Sequence, residues 1–243
     1  MTDLRNLRGL VKSSNGIKPM RLIDGLDPED INILQREVMR VRGELLFSKA
    51  IVLFEGVTEE QLIPAMFLTY FGVSNFSLGV TCISVSGKNY PPFIKMALSF
   101  GIPVCIISDN DGNTKAEIES QIKKIENDTS LELSDDQFGF YLLSQDNDIE
   151  IELVSSLNMK DEIIEAIVKT ETRGSSNEHY VAAKTEEIRA LNDVGLIASM
   201  HSAKSSYASF LADIISRNPN NKTREDMVPL AAINAFEKIK NWL

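Results

Sequence analysis

Histidine, cysteine and tryptophan are scarce in this chain of 243 residues: two, two and one. The histidines are His179 and His201, and neither neighbours a cysteine, so the ligand spacing of Cys/His zinc sites is absent. No motif supports a Ser-His-Asp or Cys-His nucleophile. Cys82 and Cys105 sit inside apolar, strand-like runs and read as small buried hydrophobes, which suits a cytoplasmic setting. No apolar run approaches the roughly 18 residues of a membrane span, and Met1-Thr2-Asp3-Leu4-Arg5 lacks the apolar core of a signal peptide. A Gly-x-x-x-x-Gly-Lys-Ser/Thr loop is missing too, which excludes a P-loop ATP site from this chain. Positive charge is the minority: 25 Lys and Arg face 35 Asp and Glu, for a net charge of −10. A passive nucleic-acid coat would be basic. A nuclease remains open, because bound metal and a local basic strip invert the field at one site. Its grip on DNA is then weak or supplied by another domain.

What the chain does have is a pair of acidic motifs, each where a buried strand is expected to end. Ile51-Val52-Leu53-Phe54 runs into Glu55-Gly56-Val57-Thr58-Glu59-Glu60, and Val104-Cys105-Ile106-Ile107 runs into Ser108-Asp109-Asn110-Asp111-Gly112. Parallel strands buried on both faces read as continuous apolar runs, and ligands of open α/β sheets sit beyond their carboxyl ends. Gly56 permits a tight turn and close approach of a phosphate. Thr58 is a candidate N-cap, which places Glu59 and Glu60 in the first turn of a helix. Asp109 and Asp111 flank one residue, so an extended strand end points both to one side. Such a carboxylate cluster repels itself, and a divalent cation is the simplest compensation. Four or five carboxylates match the needs of two ions about 4 Å apart that activate a water and stabilise a leaving oxygen. Alone, a Glu-Gly after a strand is usually a turn, and Asp-x-Asp-Gly is more often a turn or calcium-like loop. Their pairing in one β/α alternation favours function.

The remaining pattern supplies that alternation. Residues 1–27 carry Arg5, Arg8, Lys12, Lys18 and Arg21, with a turn signal at Ser13-Ser14-Asn15-Gly16. A helix is predicted from Pro28 to Ser48, capped by Asp27. Strands are predicted over Ala50–Phe54, Gly79–Val85, Pro103–Ile107 and Gly139–Leu143. The helices between them cover Glu59–Tyr70, Pro91–Ser99 and Lys115–Glu126, the alternation of a parallel sheet with right-handed crossovers. Beyond about Ser155 the chain turns helical: Lys160–Thr170, Val181–Asp193, Ser205–Ser216 and Pro229–Trp242. Loops are expected at residues 172–177 and 217–221. Lys184 and Arg189 read as solvated.

These residues resemble the Toprim metal-binding domain, whose signature is a strand-end glutamate and glycine followed by a later strand ending in Asp-x-Asp. The closer resemblance is to the Toprim nuclease half, the C-terminal region, of the OLD (overcoming lysogenisation defect) ATP-dependent endonucleases, to which the Gabija nuclease subunit is related. It rests on the stretch from Arg42 to Leu53, on Glu55-Gly56-Val57-Thr58-Glu59, and on Val85-Ser86-Gly87-Lys88-Asn89. Further support comes from Gly101-Ile102-Pro103-Val104 leading into Asp109-Asn110-Asp111, from the segment Asp148 to Leu153, and from Ser202-Ala203-Lys204 with Tyr207-Ala208. It spans roughly residues 35–215.

The resemblance implies an α/β fold: a Toprim-type, Rossmann-like parallel sheet flanked by helices, with a helical C-terminal segment. It divides the chain into a lead-in at 1–48, read as the tail of an ATPase domain, a catalytic domain at 49–155, and a helical segment at 156–243 that contributes Lys204. Glu55, Asp109 and Asp111 are implied metal ligands, and Glu59 completes a second site. Glu150 is a further ligand or water-positioning residue, with Glu152 the competing assignment. Lys204, otherwise a surface lysine, stabilises charge on the phosphate. Gly56, Gly87 and Lys88 are candidate DNA contacts, and for the last two a solvated turn is the rival reading. The expected cofactor is Mg²⁺ or Mn²⁺, as two ions. The expected partners are DNA and an ATPase domain or helicase. The expected activity is endonucleolytic cleavage of DNA in phage defence or DNA processing. The alternatives are a catalytically silent binding module of the same fold, or primase-like or topoisomerase-like chemistry.

Overall fold

The computed structural model describes residues 3–13, 16–23, 26–129, 131 and 133–243. A 3₁₀ turn at Leu4–Asn6 leads into an antiparallel ribbon of β1 (Arg8–Ser13) and β2 (Gly16–Arg21). The turn signal at 13–16 falls between these strands, but its Ser14 and Asn15, like Met1 and Thr2, lie outside the described residues.

Helix α1 (Pro28–Arg40) begins as predicted, with the Asp27 side chain accepting from the Asp30 N–H and Pro28 at the first position. It does not continue to Ser48. The chain breaks after Arg40, and Gly43–Phe47 forms a separate 3₁₀ turn. Gly43 weakens a helix interior, while Leu45 stays buried, so the apolar spacing persists across a break it does not report.

The sheet then forms from β3 (Ala50–Phe54), α2 (Val57–Phe71), α3 (Asn75–Leu78), β4 (Val80–Ser84), α4 (Pro91–Ser99), β5 (Val104–Ser108), α5 (Thr114–Asp128) and β6 (Phe138–Leu142). Strand order is β4-β3-β5-β6, and every pairing is parallel. Alternate residues of β3 enter opposite faces. Ala50, Val52 and Phe54 join one apolar core with α2, and Ile51 and Leu53 join another with α4. β5 repeats this, with Cys105 and Ile107 on the first side and Val104 and Ile106 on the second. Both faces are thus covered, which is why the central strands read as unbroken apolar runs.

The helices α6 (Ile149–Ser155), α7 (Lys160–Glu171), α8 (Glu178–Arg189), α9 (Asp193–Ser202), α10 (Lys204–Arg217), α11 (Arg224–Met227) and α12 (Leu230–Trp242) complete the first face. Tyr207, Leu211 and Ile214 of α10 and Ala232, Phe236 and Ile239 of α12 are buried in the same core as Phe67 of α2. The predicted helix Val181–Asp193 is α8, shifted toward the N-terminus, and α9 is a further helix that the pattern did not predict. α8 starts earlier, at the Asn177 cap, and ends at Arg189; Asp193 opens α9, whose cap Asn192 accepts from the Gly195 N–H. Lys184 is not simply solvated, since its ammonium pairs with Glu171 at 3.1 Å and Glu187 at 2.8 Å, tying α8 to α7. On the opposite face a buried Lys95–Asp30 pair at 2.7 Å joins α4 to α1.

Candidate metal centre

The order β4-β3-β5-β6 makes the chain leave β3 in one direction and return past it into β5. The crevice between the carboxyl ends of β3 and β5 is therefore the topological switch point, where α/β sheets bind ligands. Glu55 follows β3 and Asp109 follows β5, so the two acidic motifs meet there.

Glu55 is half-buried and anchored. Its Oε1 accepts from Ser108 Oγ at 2.5 Å, and Ser108 Oγ in turn accepts from Tyr90 OH at 3.2 Å. Its carbonyl accepts from the Gly87 N–H at 2.8 Å and from Ser84 Oγ at 3.0 Å. Burial raises its pKa, opposed by the Ser108 hydrogen bond and by the nearby Lys88 charge.

Gly56, not Thr58, is the N-cap of α2, with no side-chain capping bond. Thr58 is inside the helix, where its hydroxyl donates to Glu150 Oε1 at 3.2 Å. Glu59 folds back over the helix start, and a Cβ on Gly56 would lie 3.0 Å from Glu59 Oε2. The space that glycine provides is thus filled by a carboxylate of the chain itself. Glu59 is 6 % exposed. Its pKa is pushed up to about 7, chiefly by burial and then by the charges of Glu150 and Glu55.

Asp109 is the most perturbed of these groups. Burial, then Glu59, Glu55, Asp148 and Glu150, push its pKa up to about 8. Its Oδ1 is buried and has no hydrogen-bond partner among the described residues. Asn110 ties the strand end to the following loop, donating from Nδ2 to the Leu143 carbonyl at 2.9 Å and from its N–H to the Asn147 carbonyl at 2.9 Å. Asp111 faces a different environment. It is exposed, accepts from Thr114 Oγ1 at 2.7 Å and pairs with Lys88 at 3.3 Å. The Thr114 bond, with help from Lys88, lowers its pKa against the opposing effect of burial.

Lys88 is engaged within the chain. It bonds Thr114 Oγ1, pairs with Asp111 and lies 3.7 Å from Glu117. Gly87 has φ +103, the left-handed conformation that favours glycine, and its N–H is committed to Glu55. The Gly87–Lys88 turn therefore holds Glu55 and Asp111 in place.

α6 brings up two further carboxylates with opposite surroundings. Glu152 is 2 % exposed and bonded at both oxygens, accepting from Ser144 N–H (3.2 Å), Ser144 Oγ (3.0 Å) and Asn147 Nδ2 (2.6 Å). Glu150 is 1 % exposed and turns toward the carboxylate cluster. Its Oε1 accepts from Tyr207 OH at 3.0 Å, while Oε2 lies 3.7 Å from His201 Nε2 and 4.0 Å from Lys204 Nζ. Lys204 opens α10 and is half exposed.

Two residues of this centre were missed in the sequence. Asp148 caps α6 by accepting from the Ile151 N–H, and His201 Nε2 lies 2.8 Å from Asp148 Oδ2. Asp148, Glu150 and His201 each place one ligand atom within 4.8 Å of the others. An Asp before an apolar-acidic helix start was a readable cap signal; nothing near His201 in sequence pointed to it.

The donor set fits a hard divalent cation. Asp148, Glu150 and His201 come within reach of one ion, and Glu55, Glu59 and Asp109, at the ends of β3 and β5 and the start of α2, lie close enough to act on one another's charge. Among the described residues nothing bonds the buried Asp109 Oδ1. Positive charge there would reverse the pKa shifts of Glu59 and Asp109.

Residues 46–111 match the model of the overcoming lysogenization defect protein-like TOPRIM domain. No curated protein matches the chain. Among solved structures, the C-terminal region of the Burkholderia pseudomallei OLD protein superimposes with a TM-score of 0.56 at 23% identity, covering 80% of this chain and 98% of that one. The C-terminal region of the Xanthomonas campestris pv. campestris OLD protein gives a TM-score of 0.56 at 22% identity, covering 82% of this chain and 95% of that one.

Proposed function

We propose that this chain, which carries an OLD-like Toprim domain on the fold of OLD C-terminal regions, is a divalent-metal-dependent DNA endonuclease. The observation that carries this reading is the Asp109 Oδ1 at the end of β5, buried and unpartnered among the described residues, with Glu55, Glu59, Asp148 and Glu150 near enough for their charges to act on it. Carboxylates confined in this way disfavour one another unless a cation joins them.

In this reading Glu55, Glu59, Asp109, Asp111 and Glu150 hold two Mg²⁺ or Mn²⁺ ions. When bound, such ions supply Lewis-acid activation of a water and neutralise charge on the phosphate. The chain's own work is placement. The Tyr90–Ser108–Glu55 chain of hydrogen bonds fixes Glu55, and Asn110 fixes the turn between the two aspartates. Lys204, half exposed and 4.0 Å from Glu150 Oε2, is the cation that would offset charge developing on a phosphodiester held there. Residues 49–155 are then the catalytic core, and 156–243 contribute Lys204. DNA is the substrate, with an ATPase domain or helicase as the controlling partner in cytoplasmic phage defence or DNA processing. Among the described residues no helix is long and apolar enough to cross a membrane.

Supercoiled plasmid incubated with the purified chain and Mn²⁺ or Mg²⁺ tests the proposal beside Glu55→Ala/Asp109→Ala. Nicking or linearisation that needs the metal and is lost in the variant is the expected result. A folded, metal-binding chain that leaves plasmid intact would sink the nuclease reading for this chain and favour a binding module.

A further inference from the structure

Two buried carboxylates lie two positions apart on the short helix α6, and their hydrogen bonds separate them completely. Both oxygens of Glu152 accept bonds from the β6–α6 loop. Glu150 receives its two bonds on a single oxygen: Tyr207 OH at 3.0 Å and Thr58 Oγ1 at 3.2 Å both donate to Oε1. A carboxylate oxygen accepts about two hydrogen bonds, one for each lone pair, so Oε1 is filled. Oε2 is left facing His201 Nε2 at 3.7 Å and Lys204 Nζ at 4.0 Å.

The two donors come from different elements, α10 and α2, and both are buried, Tyr207 at 0 % and Thr58 at 3 % exposure. Swinging the Glu150 carboxylate away from them would strand two buried donors, whereas a half-turn only exchanges its equivalent oxygens. Tyr207 also lies one helical turn beyond Lys204, so the two share a face of α10. Docking the Tyr207 hydroxyl on Oε1 sets the rotation of α10 that brings Lys204 toward Oε2.

We propose that Tyr207 and Thr58 are positioning residues: they reserve Oε1 of Glu150, present Oε2 alone as a one-oxygen ligand, and align Lys204 with it. This rests on the nuclease reading of the same carboxylates. Both hydroxyls act through Glu150 Oε1. Groups that orient a metal ligand from behind typically change metal affinity or activity about 10–100-fold when removed.

The test compares Tyr207→Phe, Thr58→Val, their double variant, Thr58→Ser and Glu150→Gln. The readouts are Mn²⁺ occupancy by electron paramagnetic resonance, plasmid cleavage resolved into kcat and KM for DNA, and the melting temperature. The double variant is expected to melt cooperatively, bind Mn²⁺ about tenfold more weakly, lose at least about tenfold in kcat and keep its KM. Thr58→Ser, which retains the hydroxyl, is expected to behave as the parent. Should the double variant not fold, Tyr207→Phe carries the same comparison, because the ring still fills its site. Retained Mn²⁺ affinity and kcat in the double variant, alongside loss of both in Glu150→Gln, overturns the clamp and leaves the nuclease reading standing. If Glu150→Gln itself changes neither quantity, Glu150 has no such role and the clamp falls, while the retained cleavage keeps the nuclease reading; a parent that cleaves no plasmid defeats that reading instead.

Discussion

Replacing Asp109 by asparagine should make the metal-free protein more resistant to alkaline pH, and the structure sets the size of the effect. The carboxyl has an ordinary pKa of 3.8 and is pushed up to about 8 by burial and by Glu59, Glu55, Asp148 and Glu150. Unfolding releases it from that cluster, so between those values the unfolded chain has lost a proton that the folded chain keeps. Its contribution to stability is therefore complete below 3.8 and is lost as pH rises to about 8. From pH 5 to pH 8, at about 1.4 kcal/mol per pH unit, the upper limit is about 4 kcal/mol. Partial access of water to Asp109 brings the expectation to about 2–4 kcal/mol. Asparagine keeps the shape and cannot ionise. Urea unfolding in EDTA at pH 5 and pH 8 should show the parent losing this much more stability than Asp109→Asn. Saturating Mn²⁺ should restore the parent at pH 8 and rescue the variant far less, since binding to the folded state alone stabilises it. Parallel pH curves for the two proteins would refute the picture of Asp109 as one of several confined carboxylates.

Three further outcomes follow from single contacts. Lys204→Met should slow plasmid cleavage by about 10²–10³ while leaving Mn²⁺ affinity unchanged, the effect of removing one charge-stabilising group; an unaltered rate would return Lys204 to the surface. Glu152→Ala should cost about 1–3 kcal/mol in urea unfolding, because it removes the buried carboxylate that accepts from Ser144 and Asn147 and ties the β6–α6 loop to α6, with cleavage by the folded fraction preserved. Gly56→Ala meets no backbone strain at φ −131, but its methyl group would crowd Glu59 Oε2 at 3.0 Å. Cleavage should therefore fall with little change in melting temperature, and a fully active alanine variant would show that Glu59 need not fold back over α2.

The sheet was readable because its chemistry is local. β3 is buried along its whole length, so Ala50–Phe54 stands out as an unbroken apolar run, and α4 begins at the Pro91 that preorganises it and ends at Ser99 before Gly101. Errors arose where apolar spacing continued across a change of structure. Val41 and Leu45 extend the period of α1, yet the Arg42 N–H bonds the Glu37 carbonyl and the chain leaves the helix. Likewise Ile188 and Leu191 carry one apolar period across the end of α8, so Asn192 was overlooked as the cap of the next helix.

The centre divides along the same line. Glu55 and Asp109 are legible because a strand that stops on a carboxylate shows its end in the sequence, and two such strands in a parallel sheet must present those ends on one side. Glu150 and Glu152 were not separable by any local rule, since both sit in the first turn of α6 and both are buried. Partners far along the chain decide between them: Tyr207 is 57 residues from Glu150, Thr58 is 92, and His201 is 53 from Asp148. Those contacts exist because α10 packs on α2 through Tyr207, Ala208 and Leu211, and that packing leaves no periodic mark on either helix that names its counterpart. Tyr207 therefore looks in sequence like any core aromatic. Its hydroxyl acquires a purpose only once a buried carboxylate is found beneath it, and the cost of stranding that hydroxyl explains why α6 turns Glu150, and not Glu152, toward Asp109.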